Sequence, residues 1–135
     1  MNIRYFFISF WPSLLTLGVV LYATLWPDPA MAHDLPAIPH LDKLIHAVML
    51  GGLFGAIVFD IMRRKRREGL PAGISSRRLV FLALALMVFG VVDEALQALV
   101  TDTRSAEFLD LLADWTGIWV AFFTAPPAVR KVLRL

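Results

Sequence analysis

The chain has 135 residues, of which 59% are hydrophobic, and its mean hydropathy is +0.70. Soluble domains contain about 45 to 50% apolar residues, so this composition excludes an ordinary water-soluble domain and favours an integral membrane protein. The net charge of +2 is small, and the absence of cysteine excludes disulfides, thiolate metal sites and cysteine nucleophiles.

Four long apolar segments follow one another along the chain, at about residues 5–26, 44–62, 79–100 and 108–125. About 20 apolar residues cross the roughly 30 Å of bilayer hydrocarbon, so each segment is long enough to span it as a helix. The segments lack the period of two of a strand and exceed the about nine to eleven residues of a barrel strand. The sequence therefore predicts one all-α membrane domain over residues 1–135, with four transmembrane helices in an antiparallel bundle.

Proline, glycine and capping residues mark the connections between these segments. The breakers are Pro27, Pro29, Pro36 and Pro39 in the first connection, Gly69, Pro71 and Gly73 in the second, and Pro126 with Pro127 after the fourth segment. Asp42 is the candidate N-cap of the second helix, and Ser75 or Ser76 is that of the third. Pro12 lies inside the first segment and predicts a kink there.

Basic residues are concentrated at the chain ends and in the second connection. They are Arg4, Arg63, Arg64, Lys65, Arg66, Arg67, Arg77, Arg78, Arg130, Lys131 and Arg134. By the positive-inside rule this side is cytoplasmic, so we expect a multi-pass protein of the cytoplasmic membrane with both termini inside the cell. We expect the 63–67 run to rest on anionic lipid rather than to bind nucleic acid, and residues 129–135 to form an interfacial tail.

The N-terminus has an alternative interpretation as a secretory signal. Arg4, the apolar stretch after it and Ala30-Met31-Ala32 imitate a charged start, a core and a cleavage site. The apolar stretch, however, is longer than the roughly 7 to 15 residues of a signal core, and Pro27 and Pro29 separate it from the cleavage site. A transmembrane helix is therefore the preferred interpretation.

Polar residues, most of them ionisable, recur at the predicted outer ends of three helices. They are His46 in the second helix, Glu94 with Gln97 in the third, and Asp110 with Asp114 in the fourth. A charged group at membrane depth costs about 3 kcal/mol on insertion scales, so their similar depth predicts that these residues act together. Spacings of three or four residues place Glu94 with Gln97, and Asp110 with Asp114, on one helical face, and the same holds for Asp42 with His46.

Small residues continue the same faces away from the polar end. Gly117 and Ala121 follow Asp114 in the fourth segment, and Ala47, Gly51 and Gly55 form a stripe on the second. Such stripes let helix backbones approach closely, which predicts tight packing beneath a polar chamber.

Two other buried-segment acids are placed outside the predicted site. Asp93 is adjacent to Glu94 in the helix and so points about 100° away from it. Asp60 lies at the opposite end of its helix, where Arg63 and Arg64 are the expected partners.

The polar motifs together resemble a known family. Asp42-Lys43-x-x-His46, Glu94-x-x-Gln97, Arg104 and Asp110-x-x-Ala113-Asp114-x-x-Gly117 are similar to the pattern of VanZ-like small bacterial membrane proteins, over about residues 40 to 121. Asp114 is a departure, because the family pattern usually has Asn there. The resemblance implies a role in the bacterial envelope, connected with resistance to the glycopeptide teicoplanin, and specifies no reaction.

The first functional hypothesis is an outward-facing polar pocket that binds an envelope lipid, a cell-wall precursor or an amphiphilic antibiotic such as a glycopeptide. Its predicted ligand-binding residues are Asp42, Lys43, His46, Glu94, Gln97, Arg104, Asp110 and Asp114. Lys43 and Arg104 are the candidates for contact with a phosphate or carboxylate. Alternatively, Lys43 snorkels to the interface and Arg104 pairs with Asp102 or Glu107.

A second hypothesis is an intramembrane hydrolase or transferase. His46 and Glu94 would be general acid and base, and Asp110 and Asp114 would orient them or ligate a metal. No recognisable serine or cysteine nucleophile motif and no H-x-x-x-H spacing accompanies them, so no cofactor is predicted, although carboxylates could hold a hard divalent ion. The third hypothesis is a structural accessory subunit, in which the same residues join helices by hydrogen bonds of about 0.6 to 2 kcal/mol each. The oligomeric state is left open.

Overall fold

The fold is known from a computed structural model, which describes residues 3–25, 39–100 and 107–135. Over these ranges the chain is helical and contains no strand. Its four helices are α1 (Ile3–Leu25), α2 (Leu41–Arg67), α3 (Ser76–Val100) and α4 (Phe108–Leu133). Each is long and apolar enough to cross a membrane. Over the described ranges, the predicted all-α fold of four helices, each long and apolar enough to span a membrane, is confirmed. Arg104 lies outside the described residues.

α2 and α3 begin slightly earlier than predicted. The residue before α2 is His40, which adopts a left-handed backbone (φ 61°) and makes no side-chain capping bond. The prediction that Asp42 caps α2 is therefore wrong, because Asp42 lies in the first turn. A carboxylate in the first turn still interacts favourably with the helix dipole. α3 begins at Ser76, and the carbonyl of Ser75 accepts hydrogen bonds from the backbone of the first turn.

α1 is kinked close to Pro12, as predicted. The backbone of Phe10 leaves the helical region, with φ −117° and ψ 18°. A proline inside a helix removes one backbone donor and its ring pushes against the preceding turn, which accounts for a bend at this position.

Side chains of α2 bond the backbone groups next to this kink. The Asp60 carboxylate accepts hydrogen bonds from the Ser13 backbone N–H (2.9 Å) and hydroxyl (2.6 Å). Arg63 donates to the Ser9 carbonyl (2.8 Å) and to Asp60 (3.0 Å). The predicted pairing of Asp60 with Arg63 is thus confirmed, whereas Arg64 pairs with Glu68 instead. Asp60 and Arg63 thus supply hydrogen-bond partners to backbone groups next to the kink, and buried backbone groups need such partners.

α4 continues through the two prolines that were predicted to end it. Pro126 and Pro127 lie inside the helix, which runs to Leu133. Val129 and Leu133 are buried in the core beyond them, and Arg66 donates a hydrogen bond to the Leu133 carbonyl. The predicted interfacial tail at residues 129–135 is therefore mostly the last turns of α4, held in place by packing against α2.

The hydrophobic core is centred on α2, which contacts α4 along its length and α1 on another side. α2 and α4 approach most closely at the predicted small residues. A Cβ atom added to Gly117 would lie 2.0 Å from the Ala47 carbonyl oxygen, and one added to Gly51 would lie 2.8 Å from the Gly117 carbonyl oxygen. Both distances are too short for a side chain, so these glycines are required for the contact. It fixes the spacing of the helix faces that carry the polar residues.

Candidate functional site

A buried histidine and a buried aspartate face each other across the α2–α4 contact. His46 Nδ1 lies 3.2 Å from Asp114 Oδ1, and the two residues are only 8% and 1% exposed. His46 Nε2 lies 3.9 Å from an oxygen of Asp110. Asp110 and Asp114 are one helical turn apart, so both carboxylates are presented to the same imidazole. The structure brings these three predicted site residues together.

Lys43 lies among three carboxylates at the start of α2 and α4. Its ammonium nitrogen is 2.6 Å from Asp42, 2.7 Å from Glu107 and 2.7 Å from Asp110 Oδ1. The Asp110 contact is an ion pair. The side chain is 20% exposed. Lys43 therefore neither extends freely toward solvent nor offers an unpaired charge to an anion, in contrast to both sequence-based expectations.

The same three carboxylates are arranged as potential ligands for a cation. Oxygens of Asp42, Glu107 and Asp110 lie within 4.8 Å of one another. Carboxylate oxygens are the ligands that hard divalent ions prefer. The Lys43 ammonium already occupies the space among them, so a metal ion would bind there only by displacing it.

Glu94 connects the end of α3 to the start of α4. Its Oε1 accepts a hydrogen bond of 2.6 Å from the backbone N–H of Glu107, a group that the helix itself leaves unbonded. Glu94 is 7% exposed, and its Oε2 has no hydrogen-bond partner among the described residues. Glu94 thus contributes a buried, unbonded carboxylate oxygen to the same end of the molecule.

Asp93, which the sequence analysis places outside the site, forms a second polar group with residues of α1 and α3. Gln97 donates to Asp93 (3.2 Å), and the Thr24 hydroxyl of α1 lies 3.0 Å from the other Asp93 oxygen. Asp93 is 2% exposed. Asp93 points away from Glu94, as predicted, and its side chain contacts α1. The spacing of residues within α3 does not indicate that α1 is the neighbouring helix. Among the described residues, Gln97 thus donates a hydrogen bond to Asp93 and not to His46.

Glu107 is the second residue of the site that is not predicted from the sequence, where it is considered only as a partner for Arg104. It lies three residues before Asp110, and this spacing could have placed it on the same face. Asp42 joins the site through its ion pair with Lys43 rather than through His46. Its side chain is largely exposed. Arg104 cannot be compared, because it falls between the described ranges.

Acidic groups outnumber basic ones at this end of the described chain. The acids are Asp42, Asp93, Glu94, Glu107, Asp110 and Asp114, and the basic side chains are His40, Lys43 and His46. Carboxylates accept hydrogen bonds and do not donate them when ionised. The described side chains at this end therefore present mainly hydrogen-bond acceptors.

No protein-family model, curated protein or solved structure matches the chain.

Proposed function

We propose that the chain is a bacterial cytoplasmic-membrane protein with both termini in the cytoplasm and successive helices running in opposite directions. The distribution of basic residues supports this orientation. The alternation is supported by contacts of Ser13 with Asp60 and of Tyr5 with Glu68, and by the bond between Glu94 and Glu107. In this orientation the acidic site at the starts of α2 and α4 faces the outside of the cell.

The proposed function of that site is to bind the polar part of an amphiphile, namely an envelope lipid, a cell-wall precursor or an amphiphilic antibiotic. The observation that carries the proposal is the convergence of ionisable side chains from α2, α3 and α4 around His46. Apolar side chains beside them, including Leu44, Val48 and Phe108, are more than half exposed. A molecule with a polar head and an apolar tail matches that combination, because the head can meet the carboxylates while the tail remains in hydrocarbon.

The charge of the site favours an ammonium or hydroxyl group on the ligand over a phosphate. Lys43 is neutralised by three carboxylates, and Glu94 Oε2 is buried without a described partner. An unsatisfied buried acceptor costs about 1 to 3 kcal/mol, which a donor from the ligand would offset. An anionic group would add to the negative charge.

The resemblance to VanZ-like proteins leads us to propose an effect on teicoplanin susceptibility. The test is to express the wild-type chain, His46→Gln and Glu94→Gln in a teicoplanin-susceptible bacterium and to measure the minimum inhibitory concentration. Glu94→Gln retains an oxygen for the Glu107 N–H and replaces the unbonded oxygen with a donor. Both variants should lose the wild-type effect.

Thr116→Val is the matched control, because Thr116 is exposed on α4 and bonds only its own helix. It should retain the wild-type effect. An inhibitory concentration that the wild-type chain does not change, or that all four proteins change equally, would contradict this proposal. If the two site variants alter only the melting temperature of the purified protein, a structural accessory role is supported instead.

A second candidate function is an intramembrane hydrolase or transferase, and the His46–Asp114 pair favours it. A carboxylate at Nδ1 fixes the imidazole tautomer and leaves Nε2 able to exchange a proton with a substrate. Asp114→Asn separates the two candidates, since asparagine can still accept from Nδ1–H but cannot stabilise the imidazolium. Phosphatase or transferase activity should fall at least about 100-fold if His46 is a general base. Binding of an amphiphile should change much less.

A further inference from the structure

A shallow groove runs along one face of α3 at the opposite end of the helices from the acidic site. It has a volume of about 650 Å³ and is lined by Ser75, Arg77, Arg78, Val80, Phe81 and Leu84. The groove combines two arginines at one end with apolar side chains along its length.

The two arginines have no hydrogen-bond or ion-pair partner among the described residues. The nearby carboxylates of Asp60 and Glu68 bind Arg63 and Arg64, and backbone carbonyls bind Lys65 and Arg66. No carboxylate of the described residues therefore balances the positive charge of the groove. The guanidinium group matches phosphate oxygens in a two-pronged geometry, so an anionic phosphate ester is the complementary group.

The backbone at the start of α3 adds to this preference. The N–H groups of Arg78 and Leu79 bond the Ser75 carbonyl, which leaves those of Ser76 and Arg77 without an intrahelical acceptor. The partial positive charge of a helix N-terminus acts in the same direction as the arginine side chains.

The apolar wall extends from the arginines toward the middle of α3. Phe81 is 75% exposed and Leu84 is 52% exposed, although both lie on a helix that is apolar enough to cross a membrane. An acyl chain in contact with them would lie parallel to the helix, while its headgroup remained at the depth of Arg77 and Arg78. The order of charge and apolar surface along α3 thus matches the headgroup and acyl chain of a phospholipid.

We propose that this groove is a binding site for one anionic phospholipid, whose phosphate contacts Arg77 and Arg78 and whose acyl chain packs along Phe81 and Leu84. The site is separate from the acidic site around His46. Its occupancy does not depend on the function proposed for that site.

The experiment uses the full chain in nanodiscs of phosphatidylcholine, with and without phosphatidylglycerol. Native mass spectrometry counts the phosphatidylglycerol molecules that remain bound after release, and thermal melting measures stabilisation. The wild-type protein should retain phosphatidylglycerol and melt at a higher temperature when it is present. The Arg77→Gln/Arg78→Gln variant should retain one molecule fewer and lose most of that rise in melting temperature.

Two controls distinguish this groove from general attraction to a basic surface. Lys131→Gln/Arg134→Gln removes the same charge from the same end of the molecule outside the groove, and it should retain the wild-type lipid count. Phe81→Ala should reduce retention, whereas Phe123→Ala, which truncates an exposed phenylalanine of α4, should not. Equal losses in the two double variants, or equal retention of both lipids by the wild type, would overturn the proposal. All substituted side chains are exposed, and circular dichroism checks the helix content of each variant.

Discussion

Lys43 has a different role in the structure from the one that an isolated basic residue suggests. Its ammonium is surrounded by Asp42, Glu107 and Asp110, which come from the first turns of α2 and α4 and from the residue before α4. Three carboxylates this close together repel one another unless a cation lies between them. Lys43 therefore joins the N-terminal ends of α2 and α4 and holds these three carboxylates of the acidic site together.

Replacing Lys43 with methionine should destabilise the protein by about 1 to 3 kcal/mol, because the side chain keeps its length and loses its charge while three carboxylates remain. Thermal melting in detergent gives the measurement. Calcium ions should restore more stability to Lys43→Met than they add to the wild type, since the emptied space has carboxylate ligands.

Lys131→Met is the matched control, because Lys131 is exposed and has no acidic partner among the described residues. Its melting temperature should stay close to that of the wild type with or without calcium. Equal responses of the two variants would show that the carboxylates around Lys43 do not depend on it.

Glu68 lies just beyond the end of α2, and its pKa can be tested. Hydrogen bonds from Arg64 (2.8 Å) and then from Tyr5 (3.1 Å) hold the pKa of the Glu68 carboxyl below its usual range. A lowered folded-state pKa means that the contribution of Glu68 to stability is present above its unfolded pKa and is lost as pH falls through the folded pKa. Titration of Glu68 by NMR should show a higher pKa in Arg64→Gln than in the wild type. An unchanged pKa would contradict the pairing.

At the scale of whole elements, the contact between α2 and α4 depends on the absence of a side chain at one position. Gly117→Ala would place a methyl group 2.0 Å from the Ala47 carbonyl oxygen, which forces the helices apart. We expect a loss of at least about 2 kcal/mol or failure to fold, since overpacking a tight interface typically costs about 1 to 3 kcal/mol. Melting temperature and the yield of monodisperse protein measure the effect.

Gly52→Ala is the matched control in the same pair of helices. Gly52 is exposed and nothing lies within 4 Å of the added Cβ atom. Alanine also has the higher helix propensity, so this variant should be as stable as the wild type or slightly more stable. If both substitutions are tolerated, the close approach of α2 and α4 is wrong.

The elements could be predicted from the sequence more fully than their interactions. Apolar segment length was sufficient to identify four helices, and Pro12 predicted the bend in α1. The helical continuation past Pro126 and Pro127 could not be predicted, because it depends on the burial of Val129 and Leu133 against other helices. Local breaker rules contain no information on such packing.

The polar residues illustrate the same limit. Periodicity placed Asp110 and Asp114 on one face, and the structure presents both to His46. Asp93, however, bonds Thr24 on α1, and Lys43 pairs with Glu107, which is distant in the sequence. These pairings require knowledge of which helices are neighbours, which the spacing within one helix does not provide.

At the scale of the whole molecule, positive and negative charges separate toward opposite ends of the helices. Arg63 to Arg67, Arg77 and Arg78 lie toward one end, and the carboxylates around Lys43 and His46 lie toward the other. This separation supports the proposed orientation, in which the basic end contacts the cytoplasmic leaflet and its anionic lipids.

The orientation can be tested by cysteine labelling, because the chain contains no cysteine. Single substitutions His40→Cys and Leu70→Cys place a thiol at exposed positions before and after α2. A membrane-impermeant maleimide should label intact cells at position 40 and only lysed cells at position 70. The reverse pattern would invert the proposed orientation, and labelling of both positions in intact cells would exclude it.

The central claim is that the residues around His46 bind the polar part of an amphiphile through a buried acceptor. Native mass spectrometry of wild-type, His46→Gln and Glu94→Gln proteins purified from bacterial membranes tests it most directly. We predict that the wild-type protein retains an amphiphile bearing an amine or hydroxyl group, and that both variants lose this adduct while their melting temperatures remain within a few degrees of the wild type. The same adducts on all three proteins would contradict the claim.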